Sequence, residues 1–356
     1  MHLNIAPLLA FTEAPRSALS VRILLTGLQT GPLSLLTDAL LFAILCLYLV
    51  GVHRLSRRGR RWSPWSTAAL VVGLAAIWVA VDSGLAAYED VNVTMHVVQH
   101  VLLMMIAPPF IALAKPVTLA TQASGRKTQV GILKLVHSRV VGALTFPVFV
   151  WVFYYGTMYV FFMTGVYQYS IVHPLFHDAT HLWFFVAGYL FWEPLLGLDP
   201  ARRRWPYPVR AVSLFLGMPF ESFLGIGIAQ MTRPISSINS LANTHTAGDT
   251  LWVLAMAITG LWLGVILWQW YKQMERQTAR DDRRVEADLA ENRARAEALG
   301  LDLPPDVTVP WWRIAELERL RDRAGGAAPQ PDAASGWQAT RQGGRARLSG
   351  PGTTPP

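Results

Sequence analysis

Cysteine is almost absent: Cys46 is the single one in 356 residues. One thiol excludes an intramolecular disulfide framework and any cysteine-based metal cluster. Charge is scarce as well. Charged residues make up 15% of the chain against 52% hydrophobic, where soluble domains carry about 25% charged residues. An ordinary soluble fold is therefore excluded. No repeat of fixed period is visible, and the N-terminal segment lacks the basic start and small-residue cleavage site of a signal peptide. The net charge of +8 does not point to nucleic acid, because the excess follows the rims of apolar runs, where anionic lipid attracts it.

Those runs predict an all-α membrane bundle. Crossing a bilayer takes roughly 20 apolar residues, and suitable stretches lie at 32–52, 65–87, 94–113, 139–162, 175–197, 209–231 and 250–271. Seven spans are expected. Lys and Arg are retained on the cytoplasmic side, and they cluster in alternate connections: Arg54, Arg57, Arg58, Arg60 and Arg61; then Lys115, Arg126, Lys127 and Lys134; then Arg202, Arg203 and Arg204. The reading is N-terminus outside and C-terminus cytoplasmic, in the inner (plasma) membrane. Residues 1–31 form an external segment able to lie along the interface, 32–272 the membrane domain, and 273–324 a cytoplasmic helical tail. From 325 to 356, Gly, Pro, Ala and Ser predict a disordered tail.

With that topology, six of the nine histidines fall on the outer side. The stretch TMHVVQHVLLMMIAPPF (94–110) sets His96 and His100 four residues apart, and HPLFHDATH (173–181) does the same for His173, His177 and His181. His245 precedes the last span. Residues four apart on a helix lie about 40° from each other around it and about 6 Å apart along it, so each pair shares a face. Neutral imidazole suits Cu, Zn, Fe and Ni, and two pairs on different helices can close one metal site. An isolated histidine at such a place would more simply be an interfacial or hydrogen-bonded core residue.

Carboxylates at depth are costly unless paired. Asp82, Asp38 and Asp178 are candidate acceptors for ligand N–H groups, structural pairing within the bundle being the alternative. Glu221 follows Pro219 in mid-span, and Glu193 reads as a structural partner of the basic ARRRW loop. Met95 and Met104 are candidate soft ligands, since thioethers favour Cu(I), although methionine also simply fills gaps in apolar helices.

The run MHVVQHVLLMMIAPPFIALAKPVTLA (95–120), with VYQYSIVHPLFHDATHLWFFVAGYLFWEPLLG (166–197), resembles the CtaG-like family of cytochrome c oxidase assembly factors associated with caa-type oxidases. The likeness covers roughly residues 30–275. It departs near the last span, where LANTHTAGDTLW (241–252) replaces an acidic-Gln segment. The resemblance implies a multi-pass protein without enzymatic turnover that helps build the copper-containing centre of oxidase subunit I. It also implies transient copper, with the oxidase subunits and a copper donor protein as partners beside membrane lipid, and it makes His96, His100, His173, His177 and His181 the family-like histidines. Two other chemistries stay open. A zinc ion held by histidines beside Asp82 or Asp178 would suit a membrane lipid hydrolase, and bis-histidine ligation would suit haem.

Overall fold

The computed structural model describes residues 21–89, 91–200, 204–299, 307–308, 311–323, 338–342 and 345–349. It comprises two compact units, Met1–Trp268 and Gln269–Pro356. In the first, a short helix α1 (Val21–Thr26) is followed by the long apolar α2 (Pro32–Arg57) and α3 (Pro64–Val81), each opened by a proline in its first turn, where no amide hydrogen is needed. Leu28 bridges to Ser83, and the Gln29 amide donates to the Asp82 carbonyl, 3.0 Å. These bonds place the start of α2 beside the end of α3.

The third span is built in pieces: α4 (Val93–Val101), a π-helical turn (Leu102–Ile106), α5 (Ala107–Leu113) and α6 (Pro116–Ala123). The double proline accounts for the irregular turn. Pro108 has no amide hydrogen to offer the Met104 carbonyl, and Trp192 Nε1 donates to that carbonyl at 3.0 Å instead. Such rewiring is how a proline survives inside a membrane helix. Lys115 then takes a left-handed backbone (φ 53°), and Asp199 caps the next turn by accepting from the Val117 and Thr118 amides at 3.1 and 2.8 Å.

Helices α7 (Arg126–Val136) and α8 (Arg139–Leu144) lead to α9 (Pro147–Met163). The expected span 139–162 is thus interrupted near Phe146, which is extended because the residue before a proline disfavours the helical region. After α9 come α10 (Val166–Val172), α11 (Pro174–Leu196), α12 (Tyr207–Ala229) and α13 (Leu241–Ala298).

Among the described residues five helical runs are long and apolar enough to cross a membrane, or six if α9 and α10, bent by 70°, count as one. The expected seventh, α11, has the length at 23 residues. His177, Asp178, His181 and Glu193 dilute its apolar character. Exposed Leu35, Leu36, Phe42 and Leu47 on α2 are the natural surface for lipid.

In the second unit α14 (Trp311–Arg323) contributes Ile314 to a small core with Ala296 and Leu299. Arg295 donates to both carboxylate oxygens of Glu318, at 3.0 and 2.6 Å. Strands β1 (Val307–Thr308), β2 (Gln338–Gln342) and β3 (Arg345–Ser349) form a sheet in the order β1-β3-β2. The pair β2–β3 is antiparallel. Residues 1–20 of the external segment and 325–337, 343–344 and 350–356 of the tail lie outside the described residues.

Candidate metal site

Helix α4 starts where its sequence says it should. Asn92 caps it, its side chain accepting from the Thr94 and Met95 amides at 3.0 and 3.2 Å. Asn243 of α13 locks this end: its Oδ1 accepts from the Val93 amide at 2.8 Å, and its Nδ2 donates to Asn92 Oδ1 and Thr94 Oγ1, both at 3.0 Å. From this fixed start His96 and His100 project along one face, and α11 presents His177 and His181 to meet them.

The His96 ring stacks on His177 with centroids 4.9 Å apart, and the His100 and His181 rings are 5.8 Å apart. The two Nε2 atoms of His96 and His100 converge to 2.7 Å, so one must donate and the other accept. Close approach of the helices makes this meeting possible. A Cβ on Gly188 would lie 2.4 Å from the Met104 carbonyl oxygen, so α11 packs on the π-turn only because residue 188 is glycine.

Glu89, which the sequence reading passed over, completes the group. It sits just after a 3-10 turn at Ala86–Tyr88. Its carboxylate oxygens lie 3.8 Å from His177 Nδ1 and 3.6 Å from His181 Nε2. Gln99 donates to the same carboxylate, and also to the Ala80 carbonyl at 2.9 Å, and His96 Nδ1 is 3.3 Å from the Glu89 carbonyl. Glu89, His177 and His181 each offer one ligand atom, all within 4.8 Å of one another.

The site is buried: His96 is fully inaccessible and His181 only 8% exposed. Phe184, Phe161 and Tyr167 wall it, with the Phe184 centroid 4.0 Å from His100 and Tyr167 4.9 Å from His96.

The donor set fits a metal. His100 Nδ1 and His181 Nε2 are buried with no hydrogen-bond partner among the described residues, and buried polar atoms left this way cost about 1–3 kcal/mol each. Four imidazoles with one carboxylate suit late first-row ions.

The other candidates are placed elsewhere. His173 is exposed, stacked on Tyr169 and hydrogen-bonded to its carbonyl at 2.9 Å. His245 Nε2 bonds the Met231 carbonyl at 2.9 Å. Met95 packs with Ile23, Ala87 and Tyr88, and Met104 is buried, its carbonyl serving Trp192. Asp82 is buried, and Asp38 and Asp178 act on it electrostatically. Glu221 is buried apart from this group; its Oε1 accepts from Thr259 at 2.9 Å and Tyr155 at 3.3 Å.

Residues 46–273 match the family described as the cytochrome c oxidase caa3 assembly factor. Uncharacterized proteins of Mycobacterium bovis and Mycobacterium tuberculosis are each 30% identical over 267 residues, which is 70% of this chain and 40% of theirs. A Mycobacterium leprae relative, also uncharacterized, is 29% identical over 263 residues. The chain thus spans about 40% of the length of these relatives. No solved structure matches. The match covers well over half of the chain, which belongs to the caa3 assembly factor family of cytochrome c oxidase. Nothing in these comparisons supports a hydrolase.

Proposed function

We propose that this member of the caa3 assembly factor family handles copper at Glu89, His96, His100, His177 and His181 and gives it up for the haem–copper centre of oxidase subunit I. The observation that carries this is the meeting of two helical histidine pairs around one carboxylate in a buried pocket. Copper here is cargo. Each imidazole offers a neutral nitrogen, the carboxylate contributes charge, and Gln99 fixes the carboxylate's position, an outer contact of the kind that tunes metal affinity.

The protein's work in this reading is to bind and release, without turnover of its own. It would act in the plasma membrane next to the oxidase subunits and a copper donor protein, with the histidine end outside, an orientation that the alternation of basic connections supports. Deleting the gene should leave oxidase polypeptides in the membrane but without copper in subunit I and without activity. Complementation with wild type should restore both; the His177→Ala/His181→Ala variant should not. Normal copper and activity in the deletion strain would end this reading.

A further inference from the structure

Resting on the copper reading above, we infer that copper leaves this site sideways, into a cavity at the lipid-facing side of the bundle with an acidic mouth, so that the acceptor presents its ligands from within the membrane. A cavity of about 790 Å³ is lined on one side by α2 and on the other by α3, α5, α6 and α11. Glu89 and His181 line it, so the metal group opens onto this space. On other sides the site is closed by the buried rings of Phe161, Tyr167 and Phe184.

The cavity is not uniformly apolar. Leu33, Leu41, Ile44, Leu74 and Ile111 form most of its wall, but Asp82 and Asp178 line it beside Glu89 and His181. Asp82 is 2% exposed, and its Oδ2 has no hydrogen-bond partner among the described residues. An unpartnered buried carboxylate oxygen is costly in such surroundings, and in membrane proteins carboxylates facing a cavity mark ion pathways. Among the described residues the one Lys or Arg along the cavity is Arg54, near the opposite end of α2. A cation leaving the imidazoles therefore meets carboxylates first, which offset part of its desolvation. The outer wall, α2, has only 6% of its apolar stretch buried, so of the candidate spans it is the one least covered by other helices.

The route is tested by loading the purified full-length protein with Cu(I) and following its removal by two chelators of the same phenanthroline class, water-soluble bathocuproine disulfonate and membrane-partitioning neocuproine. In lipid nanodiscs, neocuproine should strip copper faster than the sulfonate. Thr37→Trp, which fills the cavity wall on α2, and Asp82→Asn, which removes the carboxylate charge, should each slow neocuproine about ten-fold and leave equilibrium copper affinity unchanged. Equal stripping by both chelators in the wild type, or unaltered neocuproine rates in both variants, would overturn the lateral route while leaving the copper site standing. Failure of the wild type to bind copper would remove the site itself. If a variant fails to fold, the wild-type chelator comparison decides alone.

Discussion

Replacing Gly188 by alanine tests the packing that brings the two histidine pairs together. The added Cβ would sit 2.4 Å from the Met104 carbonyl oxygen, 2.8 Å from Pro108 Cγ and 2.9 Å from Met104 Cα. Two of these neighbours are backbone, and the third belongs to a rigid ring, so none can rotate away. Helix α11 must recede by roughly 1 Å to reach an ordinary contact, and overpacking of this kind costs about 1–3 kcal/mol. At about 2–4 °C per kcal/mol for a domain of this size, thermal unfolding in detergent should begin several degrees lower. The same movement separates His177 and His181 from His96 and His100 and stretches the bond from Trp192 Nε1 to the Met104 carbonyl. Copper affinity should fall together with stability. Alanine at Gly156, whose Cβ position has nothing within 4 Å, serves as the control and should change neither. Unfolding within one degree of wild type with unchanged copper affinity for Gly188→Ala would refute the close-packing argument.

Other outcomes follow from the same contacts. Asn243→Ala removes the partner of the Val93 amide and of Asn92, and should cost about 1–3 kcal/mol, read as a lower unfolding midpoint; an unchanged midpoint would mean water replaces the amide. Glu89→Gln should weaken copper binding at least ten-fold, while Gln99→Ala should weaken it about 10–100-fold by freeing the carboxylate; wild-type affinity in both would remove Glu89 from the site. Protons compete with copper for neutral imidazole, so uptake should be complete at neutral pH and fall on acidification, below the ordinary histidine pKa of about 6.5 because burial favours the neutral ring. Uptake that persists unchanged to about pH 3 would argue against histidine ligands. Reporter fusions after Arg61 and Arg204 should read cytoplasmic and one at Tyr169 external; the reverse pattern would put the histidine end in the cytosol.

Much of this was legible in the sequence because helical spacing is a local property. His96 with His100, and His177 with His181, could be put on shared faces from a four-residue interval alone. That the two faces meet depends on Gly188 and the proline-induced π-turn, which spacing does not report. Glu89 was hidden for a related reason. Its short loop between the second and third spans was informative for its lack of Lys and Arg, and its carboxylate is held only when Gln99, nearly two turns into α4, reaches back to it. A glutamate seven residues ahead of the first histidine was the available signal. His173 and His245 show the opposite case: sequence proximity to the site suggested ligands, but each ring bonds a nearby carbonyl instead. The helix count diverged because His177, Asp178, His181 and Glu193 reduce the apolarity by which α11 would be recognised as a membrane span.

The most direct test of the account is X-ray absorption at the copper edge on the loaded protein, comparing wild type with His96→Ala/His177→Ala, a pair that removes one imidazole from each helix. The wild type should show nitrogen and oxygen scatterers with the outer-shell pattern of more than one imidazole, and the double variant should lose copper or show fewer imidazoles. A copper spectrum unchanged by removing a histidine from both helices would contradict a metal site shared between α4 and α11.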